Sequence, residues 1–322
     1  MKRQLHILLF YLAAAVLAAA GLASCQNKEL YDLRFTDPTA KAVTVRINWA
    51  EGLPVPTANG MRINVFSLNP DVAPHYGKDD VSAHGGLVWL RPGTTHQTFA
   101  YNYADNNLKF VNEHDPALIE AVSTELTRAT YSRAFPDEQT IDQVRGDFHV
   151  GIHPGYTVLD TDQEQFFDLY PADAVKTYTF EIRGVAGAEF IASARGAISG
   201  FSASYFLATG ELAAEPSTLL FNAQANGGQK TVTGSFRTFG RLDVTNNFTI
   251  EILYPSQTPG EGIVQYTWDV TGQIADGTNY HILIENDPAN GIPEIPDPGT
   301  VNENGGWDVK LNEWNDIAVP LE

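Results

Sequence analysis

Along five stretches of this 322-residue chain, apolar and polar residues alternate one by one. Val43, Val45, Ile47 and Trp49 fall on one side of the first stretch, with Thr44, Arg46 and Asn48 on the other. Met61, Ile63 and Val65 alternate with Arg62 and Asn64; Tyr178, Phe180 and Ile182 alternate with Thr179 and Glu181. Phe248, Ile250, Ile252 and Tyr254 interleave with Thr249 and Glu251, and Val264, Tyr266, Trp268 and Val270 with Gln265, Thr267 and Asp269. A period of two is the repeat of a strand with one face buried and one wet. Such strands belong to antiparallel sheets that pack face to face. The expected fold is all-β, with two tandem antiparallel β-sandwich domains of immunoglobulin-like kind joined by Gly, Asn and Pro turns.

The length fits two such domains. Residues 136–147 and 160–165 are polar, which puts the boundary between about 150 and 174. The expected organisation is a signal peptide (1–24), a tether (25–39), an N-terminal sandwich (40–160), a linker (161–174) and a C-terminal sandwich (175–322). Within the last, residues 285–306 carry Pro288, Pro293, Pro296 and Pro298. That density of proline excludes a central strand and predicts a long loop, either a surface excursion or a binding loop. Asp115-Pro116 ahead of Ala117–Val122 fits a short helix start, and a strand through Ile119–Thr130 fits as well.

The N-terminus sets the expected location. Lys2 and Arg3 precede an apolar run from Leu5 to Leu22, followed by Leu22-Ala23-Ser24-Cys25. This is the layout of a secretory signal peptide. Cys25 is the single cysteine, so an intramolecular disulfide or a multi-thiolate zinc site cannot form. The tetrad resembles the lipobox of bacterial lipoproteins, with Leu22, Ala23 and Ser24 before a cysteine that is acylated and becomes the first mature residue. The alternative is an uncleaved apolar anchor helix. Two or three acyl chains anchor stably, because each buried CH₂ contributes about 0.8 kcal/mol. Gln26 follows Cys25, so the aspartate typical of inner-membrane retention is missing; Lys28-Glu29 with Asp32 resembles the export tag of surface lipoproteins in the Bacteroidales. The expected location is the outer membrane, at the cell surface, lipid-anchored.

Thirty-nine acidic against 20 basic residues give a formal charge of −19, which argues against a nucleic-acid partner. A search for reactive motifs finds little. His149 and His153 sit four apart around Gly151; on a strand they would stand roughly 13 Å apart at ~3.3 Å per residue, too far to share a metal. Gly200-Phe201-Ser202-Ala203-Ser204 lacks the closing glycine of a nucleophile elbow. Asp160, Asp162 and Glu164 have calcium-like alternation without the glycine of an EF-hand loop, so a solvated linker fits better. Carboxylates are too numerous for counting to exclude a glycosidase pair. Trp49, Trp268 and Trp307 lie in register with apolar neighbours and read as core, although an exposed tryptophan platform would suit sugars. No catalytic residue, metal or cofactor is expected.

Lys28–Asp32, Val43–Trp49, Gly60–Ile63, Leu90–Gly93, Ala100–Asn102, Gly306–Val309 and Glu313–Asp316 occur in an order that resembles a family of Bacteroidales surface lipoproteins catalogued as a domain of unknown function. A cysteine expected between Leu30 and Tyr31 is missing here. That family is similar to fimbrial anchor and accessory (fimbrillin-associated) lipoproteins. The resemblance implies two transthyretin-like sandwiches and joining of fibres by strand exchange. The function expected is therefore non-enzymatic: a fimbria-related anchor or accessory adhesion subunit acting by β-strand pairing. Residues 307–320, with Trp307, Val309, Leu311 and Trp314, are the candidate strand-exchange segment. The alternative is a glycan-binding surface lipoprotein associated with polysaccharide uptake. The partners expected are outer-membrane lipid through Cys25, fimbrial subunits or glycans.

Overall fold

The computed structural model describes residues 37–56, 60–71, 76–104, 106–127, 138–255, 262–298 and 319–320. Leu22, Ala23, Ser24, Cys25, Trp307, Val309, Leu311 and Trp314 lie outside the described residues. The first strands in chain order are β1 (Lys41–Ile47), β2 (Met61–Ser67), β3 (Tyr76–Val81), β4 (Gly85–Leu90), β5 (Thr95–Asn102), β6 (Lys109–Val111) and β7 (Glu120–Val122). Next come β8 (Leu126–Thr127), β9 (Gln139–Asp142), β10 (His149–Thr157), β11 (Gln165–Leu169), β12 (Ala172–Asp173), β13 (Lys176–Arg183), β14 (Ser193–Ser202) and β15 (Ser204–Phe206). The last are β16 (Pro216–Asn226), β17 (Thr231–Thr238), β18 (Asn247–Leu253), β19 (Ile263–Asp269), β20 (His281–Glu285) and β21 (Val319–Pro320). A single helical turn, α1 (Thr271–Ile274), precedes β20.

The first sandwich pairs a sheet of order β11-β1-β4 with one of order β12-β10-β5-β2-β3. Its core is what the alternation predicts: Val43, Val45 and Ile47 from β1 meet Met61, Ile63 and Val65 from β2, with Val88, Leu90, Phe167 and Leu169. The expected linker, residues 161–174, is corrected here. It contributes β11 and β12, and β11 pairs with β1 from Val43↔Gln165 to Ile47↔Leu169. Phe167 and Leu169 bury an apolar face that a solvated linker would leave in water. Only the polar run before them stays outside, where Lys41 holds Asp160 at 3.5 Å and Asp162 at 3.0 Å. The β1–β11 ladder is parallel, as are β9–β16 and β13–β20, so the sheets are mixed rather than wholly antiparallel.

The second sandwich is one folded-over sheet of order β19-β18-β14-β16-β17-β13-β20. β16 makes the corner. Its first part pairs with β14 from Ser202↔Pro216 to Ala194↔Ala223, and its last three residues pair with β17. A strand that passes from one layer to the other closes a sandwich at its corner. Between the layers, Phe221 stacks on Phe236 at 4.6 Å and Phe180 lies 4.9 Å from Phe248. Gly196 makes room for this packing, because a Cβ there would stand 2.0 Å from the Phe221 ring.

The two sandwiches are interlocked. β9 precedes β10 in sequence yet pairs with β16, Ser217↔Gln139 to Leu220↔Asp142. β6 and β7 form a small sheet with β15. A shared apolar cluster joins Phe99, Tyr101 and Phe148 of the first half to Leu207 and Phe239 of the second. The helix alternative after Asp115 resolves as a turn: Asp115 Oδ1 accepts from Ala117 N at 2.9 Å, and β7 follows.

Residues 286–298 form no strand, as the prolines require, but they are not a free excursion. Asn286 Oδ1 accepts from Ile292 N at 2.7 Å, and its Nδ2 donates to Ile292 O at 2.9 Å. Ile295 N donates to Ala186 O at 2.9 Å, and Ile292 and Ile295 are 0% and 1% exposed. The segment caps the end of the second core. Gly187, at φ 75°, lets Ile295 O approach to where a Cβ would clash.

Candidate functional site

Most residues singled out for chemistry serve the fold. His149 is fully buried with both ring nitrogens unpartnered and its ring edge-on to Trp49 at 5.2 Å. Burial lowers its pKa, against the opposing fields of Asp173 and Asp147. His153 packs on Phe167 at 5.0 Å. Ser202 spends its hydroxyl on Ser204 O and Ala213 O, both at 2.9 Å, which is a turn contact and not a nucleophile. Trp49 donates to Ala83 O at 2.7 Å, and Trp268 packs half-buried against the second core beside Tyr266. Among the described residues no three His, Cys, Asp or Glu converge to hold a metal ion, and no helix is long and apolar enough to cross a membrane.

Charged clusters are closed networks. Glu113 accepts from Tyr101 at 2.6 Å and Lys78 at 2.8 Å, and Arg62 bridges it to Asp80. Burial pushes the Glu113 carboxyl up, but its donors outweigh that and hold it below the usual range. Arg195 and Glu251 face each other in register across β14 and β18, their side chains 5% and 2% exposed, with Nε donating to Oε1 at 2.7 Å.

Concavities open among the described residues of the second sandwich. One, of about 560 Å³, is an open trough over the outer faces of β13, β17 and β20, bordered by Gln143, Asn222 and Gln224. There Thr179 bonds His281 at 2.8 Å, and Glu181 accepts from Arg183 at 2.9 Å. That bond holds the Glu181 carboxyl below its ordinary range.

The other, of about 360 Å³, opens where the sandwiches meet, and it is walled by aromatic rings. Tyr178 comes from β13, in the inward register with Phe180; it stacks on Phe236 at 5.2 Å and meets Tyr280 edge-on at 5.2 Å. Tyr205 comes from β15 and stacks on Phe239 at 5.8 Å. Asp173 and Lys176 lie on either side of the sandwich junction and line the cleft. Arg241 lines it too, but its guanidinium is engaged with Asn246 and Ala275 O. The Tyr178, Tyr205 and Tyr280 hydroxyls make no hydrogen bond to any described residue; Tyr178 is buried, and Tyr205 and Tyr280 are half-buried. Burial, reinforced by Tyr280, pushes the Tyr178 phenol up to about 12, and burial raises that of Tyr205. Both therefore present neutral O–H groups, each a donor and an acceptor. Sequence spacing gives no hint of this cleft. Tyr178 reads as plain core, and Tyr205 and Tyr280 lie outside the alternating stretches.

The fold matches solved structures. A candidate adhesin from Bacteroides ovatus aligns with a TM-score of 0.62 at 18% identity, over 86% of this chain and 98% of that one. The fimbrial anchor protein Mfa2 of Porphyromonas gingivalis aligns at 14% identity, over 79% and 94%, with a TM-score of 0.46. A candidate polysaccharide-binding protein from Bacteroides thetaiotaomicron aligns at 11% identity, over 76% and 89%, also with a TM-score of 0.46. No protein of curated function matches the chain in sequence. A family profile does match, from residue 24, immediately before Cys25, to residue 222 within β16. That span is well over half of the 322 residues, and the chain belongs to the DUF5119 family, defined by a domain of unknown function.

Proposed function

We propose that this chain is a non-enzymatic, lipid-anchored surface protein of the outer membrane that serves adhesion, as an anchor or accessory subunit of a fimbria-like assembly. The observation carrying this reading is the interlocked double sandwich, shared along nearly the whole length of a candidate adhesin. Cys25 takes the acyl chains, with Leu22, Ala23 and Ser24 as the recognition residues. Residues 307–320 supply the strand that pairs with a partner subunit.

Val319–Pro320 pairs antiparallel with Leu126–Thr127 through two residues. A partner strand added at a sheet edge would contribute main-chain hydrogen bonds along its length. Shearing intact cells tests the reading. The protein is expected to be protease-accessible and to co-purify with sheared filaments, and Cys25→Ala to release it from the membrane fraction. A protein fully protected from external protease would overturn surface display, and a fully membrane-bound Cys25→Ala variant would overturn the lipid anchor.

A further inference from the structure

We propose that the aromatic cleft at the sandwich junction is a binding site for a neutral saccharide unit, held by Tyr178, Tyr205 and Tyr280. The cleft offers two things at once. Its walls are ring faces and edges, which suit the apolar C–H faces of a pyranose. Its rim presents the half-buried Tyr205 and Tyr280 with their phenol hydroxyls, beside Asp173 and Lys176, and the buried Tyr178 also lines it. An apolar ligand would strip water from those hydroxyls and leave them unpaired, so the site selects for a ligand rich in hydroxyls. A volume of about 360 Å³ lies at the small end of ligand pockets and suits one or two sugar rings. A proline-rich peptide also favours aromatic walls, but it needs an open groove that follows ~3.1 Å per residue.

Gly210, Gly240 and Gly277 line the cleft and add no side chain across it. Residues from both sides of the junction wall it: Asp173 belongs to the first sandwich, and Lys176, Tyr178 and Tyr280 to the second. Occupancy would therefore tie the two together. The inference rests on the adhesive reading only in taking the ligand to be an external glycan; the chemistry of the cleft stands apart from where the protein resides.

The test is saturation-transfer NMR and calorimetric titration of the purified protein with glucose, galactose, mannose, N-acetylglucosamine, maltose and lactose. At least one sugar is expected to bind saturably. Tyr280→Phe and Tyr205→Phe keep the rings and remove one hydroxyl each, and each is expected to weaken binding about three- to tenfold. Thr233→Ala, in the open trough, is expected to leave binding unchanged. Thermal melts confirm that each variant is folded, and Tyr280→Leu is the second variant should either phenylalanine change fail. Absence of saturable binding by all six sugars overturns the proposal. So does binding that both Tyr→Phe variants leave intact, or a polyproline peptide that binds the cleft where sugars do not. Because the titration uses purified protein, failure of surface display on cells would not alter its result.

Discussion

Removing one charge of the Arg195–Glu251 pair should be among the most damaging single changes in the second sandwich. The pair spans β14 and β18 at nearly zero exposure. Arg195→Met leaves the Glu251 carboxylate in a site that water does not reach. Breaking a buried pair by deleting one partner costs about 3–5 kcal/mol. For a domain of this size, each kcal/mol lowers Tm by roughly 2–4 °C, so a fall of roughly 6–20 °C is expected. Glu251→Leu should cost a similar amount by taking the carboxylate away from the buried guanidinium. The double variant Arg195→Met/Glu251→Leu should recover most of the loss, since apolar replacement of a whole buried pair is often neutral or stabilising. Urea unfolding followed by tryptophan fluorescence reads this directly, because Trp268 pairs with Phe248 on the adjoining ladder. Single variants within about 0.5 kcal/mol of the parent would refute the argument, as would a double variant no better than either single one.

His96 is buried, and its pKa is lowered to about 4 by desolvation. The unfolded chain takes up a proton near pH 6.5 and the folded one only near 4. Its contribution is therefore present above pH 6.5 and lost as pH falls toward 4, by at most about 3 kcal/mol. His149 acts in the same direction, and His96→Asn should flatten the acid limb of a stability profile measured by denaturant titration. Gly196→Ala should destabilise by about 1–3 kcal/mol or more through overpacking against Phe221, read as a lower urea midpoint. Asn286→Ala removes the bonds that fold residues 286–292 back on themselves. Faster amide exchange is expected around Ile292 and Ile295, with a loss of about 1–3 kcal/mol; unchanged exchange would mean that the two isoleucines anchor the segment unaided.

What was legible in the sequence was the strand face. Val43, Val45 and Ile47, or Phe248, Ile250 and Ile252, declare their inward side by period alone, and the structure buries them. Partner and direction were not legible, because alternation is the same for parallel and antiparallel neighbours. That is why β11, some 120 residues from β1, read as linker once Asp160–Glu164 had suggested a boundary. The corner in β16 does leave a trace. Ser217 to Phe221 are buried on both faces, after which Asn222, Gln224 and Asn226 alternate with alanines as the strand emerges at the second layer. The aromatic cleft left none, since its tyrosines meet only after three separate segments have folded.

The placement of β1 governs how the protein answers a pull. Among the described elements β1 is the first that tension entering from the N-terminal end would meet, just past Asp37, which is ion-paired to Arg91. β1 is flanked on both sides, by β4 and by β11, and its ladder bonds run across the line of its own axis. Tugged lengthwise, it cannot peel away one bond at a time. Both ladders would be loaded in shear together.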